Sequence, residues 1–316
     1  MHPGIGPPSV FVHEDGARTG YEILGSAHLN HEDPIILIGG ISSLRGDWDR
    51  LAKSLAQERP VLIYDHRGIG DSSFSREGGE DMTIELLARD LLELVCYLKW
   101  EQIAICGFSM GGMVAQQLLF LPYHPFKPTA LPFRVTHVLL TGTLCTPLRG
   151  VRLKILAQPP PPPKGRHRTH AERREIARPG LESTFDPAWV GNPDNAPRLE
   201  WWLDRMASGG RPMSTIMMQA RAGGRIQFEG FHEKLPRDIS FLVIHGELDE
   251  VVPFSCSQEI LQKISWAKMV EVGPKAGQIP DLAFGHTWYE YFDVKVWHDV
   301  IQKFLGDDQG RPLARL

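Results

Sequence analysis

The sequence predicts an α/β protein: a mostly parallel central sheet with helices on both faces, interrupted by a helical insertion. Three observations predict it. Short, nearly continuous apolar runs recur at 34–40, 60–65 and 102–107, the pattern of strands buried on both faces. Helical periodicity lies between them, and such alternation implies parallel pairing with right-handed crossovers. The alternation breaks at 145–236 and resumes at 240.

Taken in order, Val10–Leu24 alternates apolar and polar residues around Asp15-Gly16 and is expected to form an antiparallel hairpin. Pro34–Gly40 is the first buried strand, Pro60–Asp65 the second and Gln102–Gly107 the third. A helix is expected over Asp47–Gln57, with apolar positions Trp48, Leu51, Leu55 and Ala56. A longer one is expected over Thr83–Trp100, with Thr83 as its N-cap. After Ser109 comes a helix, Gly111–Leu121, stopped by Pro122, then a strand over Phe133–Leu140. Within the break, Pro159–Pro163 predicts a stiff polyproline stretch and Thr169–Glu172 a capping box. Helices are expected at Pro197–Ala207 and Met213–Ala222, strands at Ser240–Gly246 and Lys268–Val272, and a last helix over Trp288–Leu305.

The chain's 316 residues allow two ordinary domains, or one enlarged domain, at about 100–200 residues each. The formal net charge of −4 excludes a surface built throughout to neutralise nucleic-acid phosphates. No apolar run is long enough to span a membrane, and the N-terminus lacks the pattern of a secretory signal. The four cysteines, Cys96, Cys106, Cys145 and Cys256, form no CxxC pair. That spacing suits a reduced, cytoplasmic protein without a zinc site. Proline is the outlier: 14 of the 25 fall in residues 121–200, so the middle of the chain differs from its flanks.

The strongest chemical signal is Gly107-Phe108-Ser109-Met110-Gly111, directly after a strand and before a helix. A serine nucleophile must stand clear of the sheet on a sharp turn, and small flanking residues let strand and helix approach. Its hydroxyl needs a base, and the base an orienting acid, here in the chain order Ser, acid, His. Asp249 follows the strand at 241–244 in the glycine turn His245–Pro253, where it is favoured over its neighbours Glu247 and Glu250. His286, beside Gly285 and before the last helix, is the expected base. His66 and His245 are expected to serve turns, and His167 and His170 lie in a basic, solvated run. His232 and His298 fit the chain order poorly. Acyl transfer also needs two donors for the oxyanion. These are expected to be the backbone N–H of Met110 and that of Ile41, in the turn Gly39–Ser43; Ser42 offers a hydroxyl there.

These residues together resemble the α/β-hydrolase superfamily, in the cap-bearing serine branch of esterases, enol-lactonases and cofactor-free haloperoxidases. The resemblance rests on five ordered motifs: Gly39-Gly40-Ile41 with Trp48, Tyr64–Ser72, Gly107–Gly112, His245–Asp249 and Gly285-His286. They span about residues 10–145 and 237–305. The resemblance implies that Ser109, Asp249 and His286 form a catalytic triad and that Ile41 and Met110 form the oxyanion hole. It further implies that 1–144 and 237–316 make the core and 145–236 a helical cap. Haloalkane dehalogenases and epoxide hydrolases of similar shape use an aspartate nucleophile, where this chain has Ser109. The family pattern often has His-Gly where this chain has Gly39-Gly40, and the connection Lys127–Phe133 is lengthened.

The expected activity is hydrolysis of a small to medium apolar ester, lactone or thioester, with no cofactor, metal or nucleic acid. The same triad could instead serve a lyase, acyltransferase or perhydrolase reaction, or a ligand-sensing receptor. Trp201, Trp202, Met206, Met213, Met217 and Met218 are candidates for the pocket wall, although helical spacing also suits them to the core.

Overall fold

The computed structural model describes residues 9–148 and 166–306; the polyproline stretch Pro159–Pro163 lies outside them. Eight strands form one sheet: β1 (Ser9–Val12), β2 (Arg18–Leu24), β3 (Ile35–Ile38), β4 (Val61–Tyr64), β5 (Gln102–Phe108), β6 (Arg134–Thr141), β7 (Ser240–Ile244) and β8 (Lys268–Met269). Their order is β1-β2-β4-β3-β5-β6-β7-β8. The pairs β1–β2 and β2–β4 are antiparallel; the rest are parallel.

The continuous apolar runs are explained by burial on both faces. In β3, Ile36 and Ile38 pack toward α2 (Ile84–Leu98) and α3 (Met110–Phe120). Ile35 and Leu37 pack on the opposite face, toward α1 (Asp49–Leu55) and α9 (Val294–Gly306). Thr83 caps α2 through its hydroxyl, which accepts from Leu86 N–H. Between β6 and β7 lie α4 (His170–Glu182), α5 (Pro187–Gly191), α6 (Ala196–Ala207) and α7 (Met213–Gly223), with α4 packed on α6. Thr169 and Glu172 form the expected capping box at α4. None of the described helices is long and apolar enough to cross a membrane.

Buried ion pairs tie α6 to the rest of the molecule. Arg198 on α6 binds both Glu290 and Asp49, the first fully buried and the second largely so. Such pairs add little net stability against apolar packing, but a lone survivor is costly, so they fix one arrangement.

Four elements differ from expectation, the first being the short helix α5 (Pro187–Gly191), which the sequence did not suggest. An unforeseen helix, α8 (Ser255–Lys263), follows β7; it buries only Cys256, Ser257 and Ile260, too narrow an apolar stripe to read from sequence. The last helix begins at Val294 rather than Trp288, because a separate 3-10 turn over Trp288–Glu290 ends at the extended Tyr291 and Phe292 then takes a positive φ of 63°. β8 stops at Met269, and Val272 makes only an isolated bridge to Ile279.

Candidate active site

Because β3 lies beside β5 and β5 beside β6, the loops after these strands converge at one edge of the sheet. In open α/β sheets this carboxyl edge is where ligands bind. Ser109 stands between β5 and α3 with φ 54° and ψ −120°, a backbone conformation rare for an L residue. Its surroundings hold it there. Ser109 N–H donates to Thr141 O at 2.9 Å, and its carbonyl accepts from the Thr143 hydroxyl at 2.6 Å and Gly112 N–H at 3.0 Å. The flanking glycines are required by contact: a Cβ on Gly107 would meet Gly111 O at 2.6 Å, and one on Gly111 would meet Ile38 O at 2.1 Å.

The three side chains singled out in the sequence come together. The Ser109 hydroxyl is 3.0 Å from His286 Nε2, and His286 Nδ1 is 2.8 Å from Asp249 Oδ2. All three are buried, while Glu247 and Glu250 are exposed. The other Asp249 oxygen accepts from Val251 and Val252 N–H, both at 2.8 Å, which fixes the carboxylate plane. Burial alone would raise the Asp249 carboxyl; the facing His286 and the hydrogen bonds of His245 and His286 outweigh it and hold the group well below the usual carboxylate range.

Met110 and Ile41, whose N–H groups the sequence offers as oxyanion donors, lie in the two segments that flank Ser109 and Gly40. Met110 is the first residue of α3, where N–H groups have no acceptor within the helix and the dipole is positive. Gly40 lies against the nucleophile, so a Cβ there would sit 3.0 Å from Ser109 Cβ. Ser43 N–H closes the turn onto Gly40 O at 3.3 Å, leaving Ile41 and Ser42 at its centre. Among the described residues nothing accepts from Ile41 N–H.

His66 and His245 do serve turns. The His66 Nε2–H donates to Gly39 O at 2.9 Å, beneath the Ile41 turn. His245 Nε2–H donates to Val252 O at 2.8 Å and also faces Asp249 Oδ2 at 3.3 Å, a contact the sequence did not suggest. His232 is buried with Nε2 2.9 Å from Gln116 Oε1, and Gln116 in turn donates to Gly112 O and Leu144 O. Burial pushes both His66 and His232 down to about 4. Folding therefore keeps two imidazoles neutral that the unfolded chain protonates below about pH 6.5. Stability is expected to fall as pH drops from 6.5 toward 4, by on the order of 2–3 kcal/mol per histidine. Thermal melts across that range check it, and His232→Gln is expected to remove one share of the dependence. A melting temperature flat from pH 7 to 4.5 would contradict it.

A cavity of about 240 Å³ opens at Ser109 and His286. Its wall is mostly apolar and includes Met113, Leu144, Leu148, Leu181, Val251 and Val252. Of the six pocket candidates, Trp202 and Met206 line it. Trp201 instead stacks under Arg198 at 3.7 Å, Met213 is exposed and Met218 packs against the core. Asp47 alone among the described lining residues carries a formal charge, and its carboxylate is taken up by Arg205, Arg211 and Leu44 N–H.

Segments between β6 and β7 grip two loops of the site, a feature with no local sequence signal. Thr184, after α4, accepts from Thr287 N–H at 3.1 Å and shares a hydroxyl contact with Thr287 at 2.9 Å, next to His286. Asp186 accepts from the Tyr291 hydroxyl at 2.7 Å. On the other side, Ser42 N–H donates to Gln219 Oε1 at 2.8 Å and Ser42 O accepts from Arg211 Nε at 2.9 Å.

Comparisons with known proteins bear on the whole arrangement. A sequence profile of the alpha/beta hydrolase family matches residues 35–308. A soluble epoxide hydrolase from a Corynebacterium species is 31% identical over 101 residues, 32% of this chain and 32% of the relative. The chain spans only about a third of the length of the curated relatives it matches, 32% and 38% for two of them. Among solved structures, a hydrolase from Pseudomonas aeruginosa superposes with a TM-score of 0.72 at 22% identity, covering 96% of this chain and 100% of that one. An enol-lactonase from Burkholderia xenovorans superposes at 0.70 with 19% identity, covering 94% and 99%. At these identities the structural likeness concerns the fold.

Proposed function

The chain belongs to the alpha/beta hydrolase family, and from that premise we propose that it is a serine hydrolase cleaving a small to medium apolar ester, lactone or thioester through an acyl-enzyme on Ser109. The observation that carries the reading is the line of contacts Ser109 Oγ, His286 Nε2 and Nδ1, Asp249 Oδ2. An aspartate nucleophile, which opening an epoxide would call for, is absent from the elbow, where Ser109 stands.

In this reading His286 Nε2 takes the Ser109 proton as Oγ attacks the carbonyl carbon. The developing oxyanion is met by the Ile41 and Met110 N–H groups, and Asp249 stabilises the imidazolium. His286 then protonates the leaving group, and water, activated by the same histidine, releases the acyl group from Ser109. In this reading the described helices α4 to α7, between β6 and β7, act as a cap over the cavity at Ser109. The apolar wall, with its one charge already neutralised, favours an uncharged substrate.

The test is turnover of a panel of p-nitrophenyl esters, lactones and thioesters, with fluorophosphonate labelling. Wild-type protein is expected to turn over at least one class and to be labelled. Ser109→Ala is expected to lose labelling and to drop kcat by roughly a million-fold toward the background rate. Equal hydrolysis by Ser109→Ala overturns the reading, and labelling without turnover on any class favours a receptor.

A further inference from the structure

We infer that Gln219, on α7, is a positioning residue for the oxyanion turn, an inference that rests on the serine hydrolase reading above. Ser42 follows Ile41 and occupies the third position of the turn Gly40–Ser43 with φ 64°. Turns of this kind favour glycine or asparagine there, because a Cβ makes the left-handed region costly. Serine keeps that conformation only if its surroundings impose it. What imposes it comes from 169 and 177 residues away: Arg211 Nε–H donates to Ser42 O, and Gln219 Oε1 accepts from Ser42 N–H.

Gln219 is fully buried, and its Nε2 has no hydrogen-bond partner among the described residues. A buried amide that leaves its donor unpaired costs free energy. The single bond it does make is to the turn, and the orientation of the amide is fixed because Ser42 N–H requires an acceptor. Arg211 is held in its turn by both oxygens of Asp47 and by Arg205 O. The peptide plane carrying Ser42 N–H directly follows the one carrying Ile41 N–H. Locking the first therefore limits how far the second can swing from the carbonyl it serves. Among the described residues Gln219 hydrogen-bonds to neither Ser109 nor His286; it acts through Ser42.

Two substitutions separate positioning from packing. Gln219→Met keeps the volume and loses the acceptor. Gln219→Glu keeps the acceptor, and burial favours its neutral form, whose hydroxyl replaces the nitrogen that makes no bond among the described residues. With p-nitrophenyl butyrate as substrate, Gln219→Met is expected to lower kcat about 10–100-fold with KM changed less than about 3-fold. Gln219→Glu is expected to stay within about 5-fold of wild type at the acid end of the profile, where its carboxyl is neutral, and to fall as it ionises, whereas Gln219→Met is expected to keep the wild-type profile shape. If Gln219→Met does not fold, Gln219→Asn, one methylene too short to reach Ser42, is expected to show the same selective loss in kcat. The inference is overturned by wild-type kcat in the acceptor-less variant, by a loss confined to KM, or by Gln219→Glu, at the acid end where its carboxyl is neutral, falling as far as Gln219→Met at equal pH. A wild-type protein inert to esters and to fluorophosphonate removes the hydrolase reading and this inference together. An active wild type with an indifferent Gln219 removes this inference alone.

Discussion

Asp249→Asn is expected to lower kcat by about four orders of magnitude while leaving the protein folded. The reason lies in which bonds asparagine can copy. Its carbonyl oxygen can still accept from Val251 and Val252 N–H at 2.8 Å. Its NH2 then faces His286 Nδ1, which in the native protein lies 2.8 Å from a carboxylate oxygen. Two donors cannot share that contact, so the imidazole moves its proton to Nε2. It then presents N–H rather than a lone pair to the Ser109 hydroxyl, and the base is lost with the geometry intact. The low-lying Asp249 carboxyl adds a second expectation. It stays ionised below its ordinary range near pH 3.9, so loss of activity above that pH does not arise from its protonation. Steady-state kinetics with thermal melts decide the matter; an asparagine variant with near-native kcat removes Asp249 from the mechanism.

Gly111→Ala is expected to destabilise the protein by about 4 kcal/mol or more, lowering the melting temperature by on the order of 10 °C. The added Cβ would lie 2.1 Å from Ile38 O, 2.7 Å from Ile38 C and 2.8 Å from Gly39 O. All three are backbone atoms of β3 and the turn that follows it, so no side chain can rotate away. Relief requires moving α3 off the sheet, which also moves Met110 N–H and Ser109. The remaining folded fraction is therefore expected to be nearly inactive. Gly191→Ala is the matched control: nothing lies within 4 Å of its Cβ position. It ends the short helix α5, and a shift of about 0.5 kcal/mol or less is expected. Parallel melting curves of the two variants test the contrast. Equal stability would mean that β3 and α3 are not in contact through Gly111.

What could be read from sequence and what could not divide along a physical line. The strands were readable because burial on both faces leaves nearly unbroken apolar runs such as Ile35–Ile38. The meeting of Ser109, Asp249 and His286 is legible because each lies beside or near a glycine in a loop, the first two shortly after β5 and β7. α8 was not, since Ser255–Lys263 shows mostly polar residues and hides little apolar surface. The start of α9 was misplaced because Trp288, Tyr289 and Tyr291 are buried aromatics that imitate a helical face. Gln219, Arg211 and Thr184 carry no local signature at all. Their importance comes from contacts made across more than a hundred residues of chain, with Ser42 and Thr287. His245 likewise reveals its second contact, to Asp249, only once the turn has folded.

The bonds from Gln219 and Arg211 to Ser42, and from Thr184 to Thr287, bear on how molecules reach Ser109. A hinge motion that lifted α7 from α2 would break the Ser42 bonds in the same movement. One that lifted the segment after α4 would release the loop carrying His286. The open form of either motion is thus a form with a disordered catalytic geometry. Traffic through the mouth of the cavity, with these helices stationary, avoids that coupling. On the serine hydrolase reading proposed above, the size of an acceptable substrate would then follow the width of that mouth rather than the volume behind it.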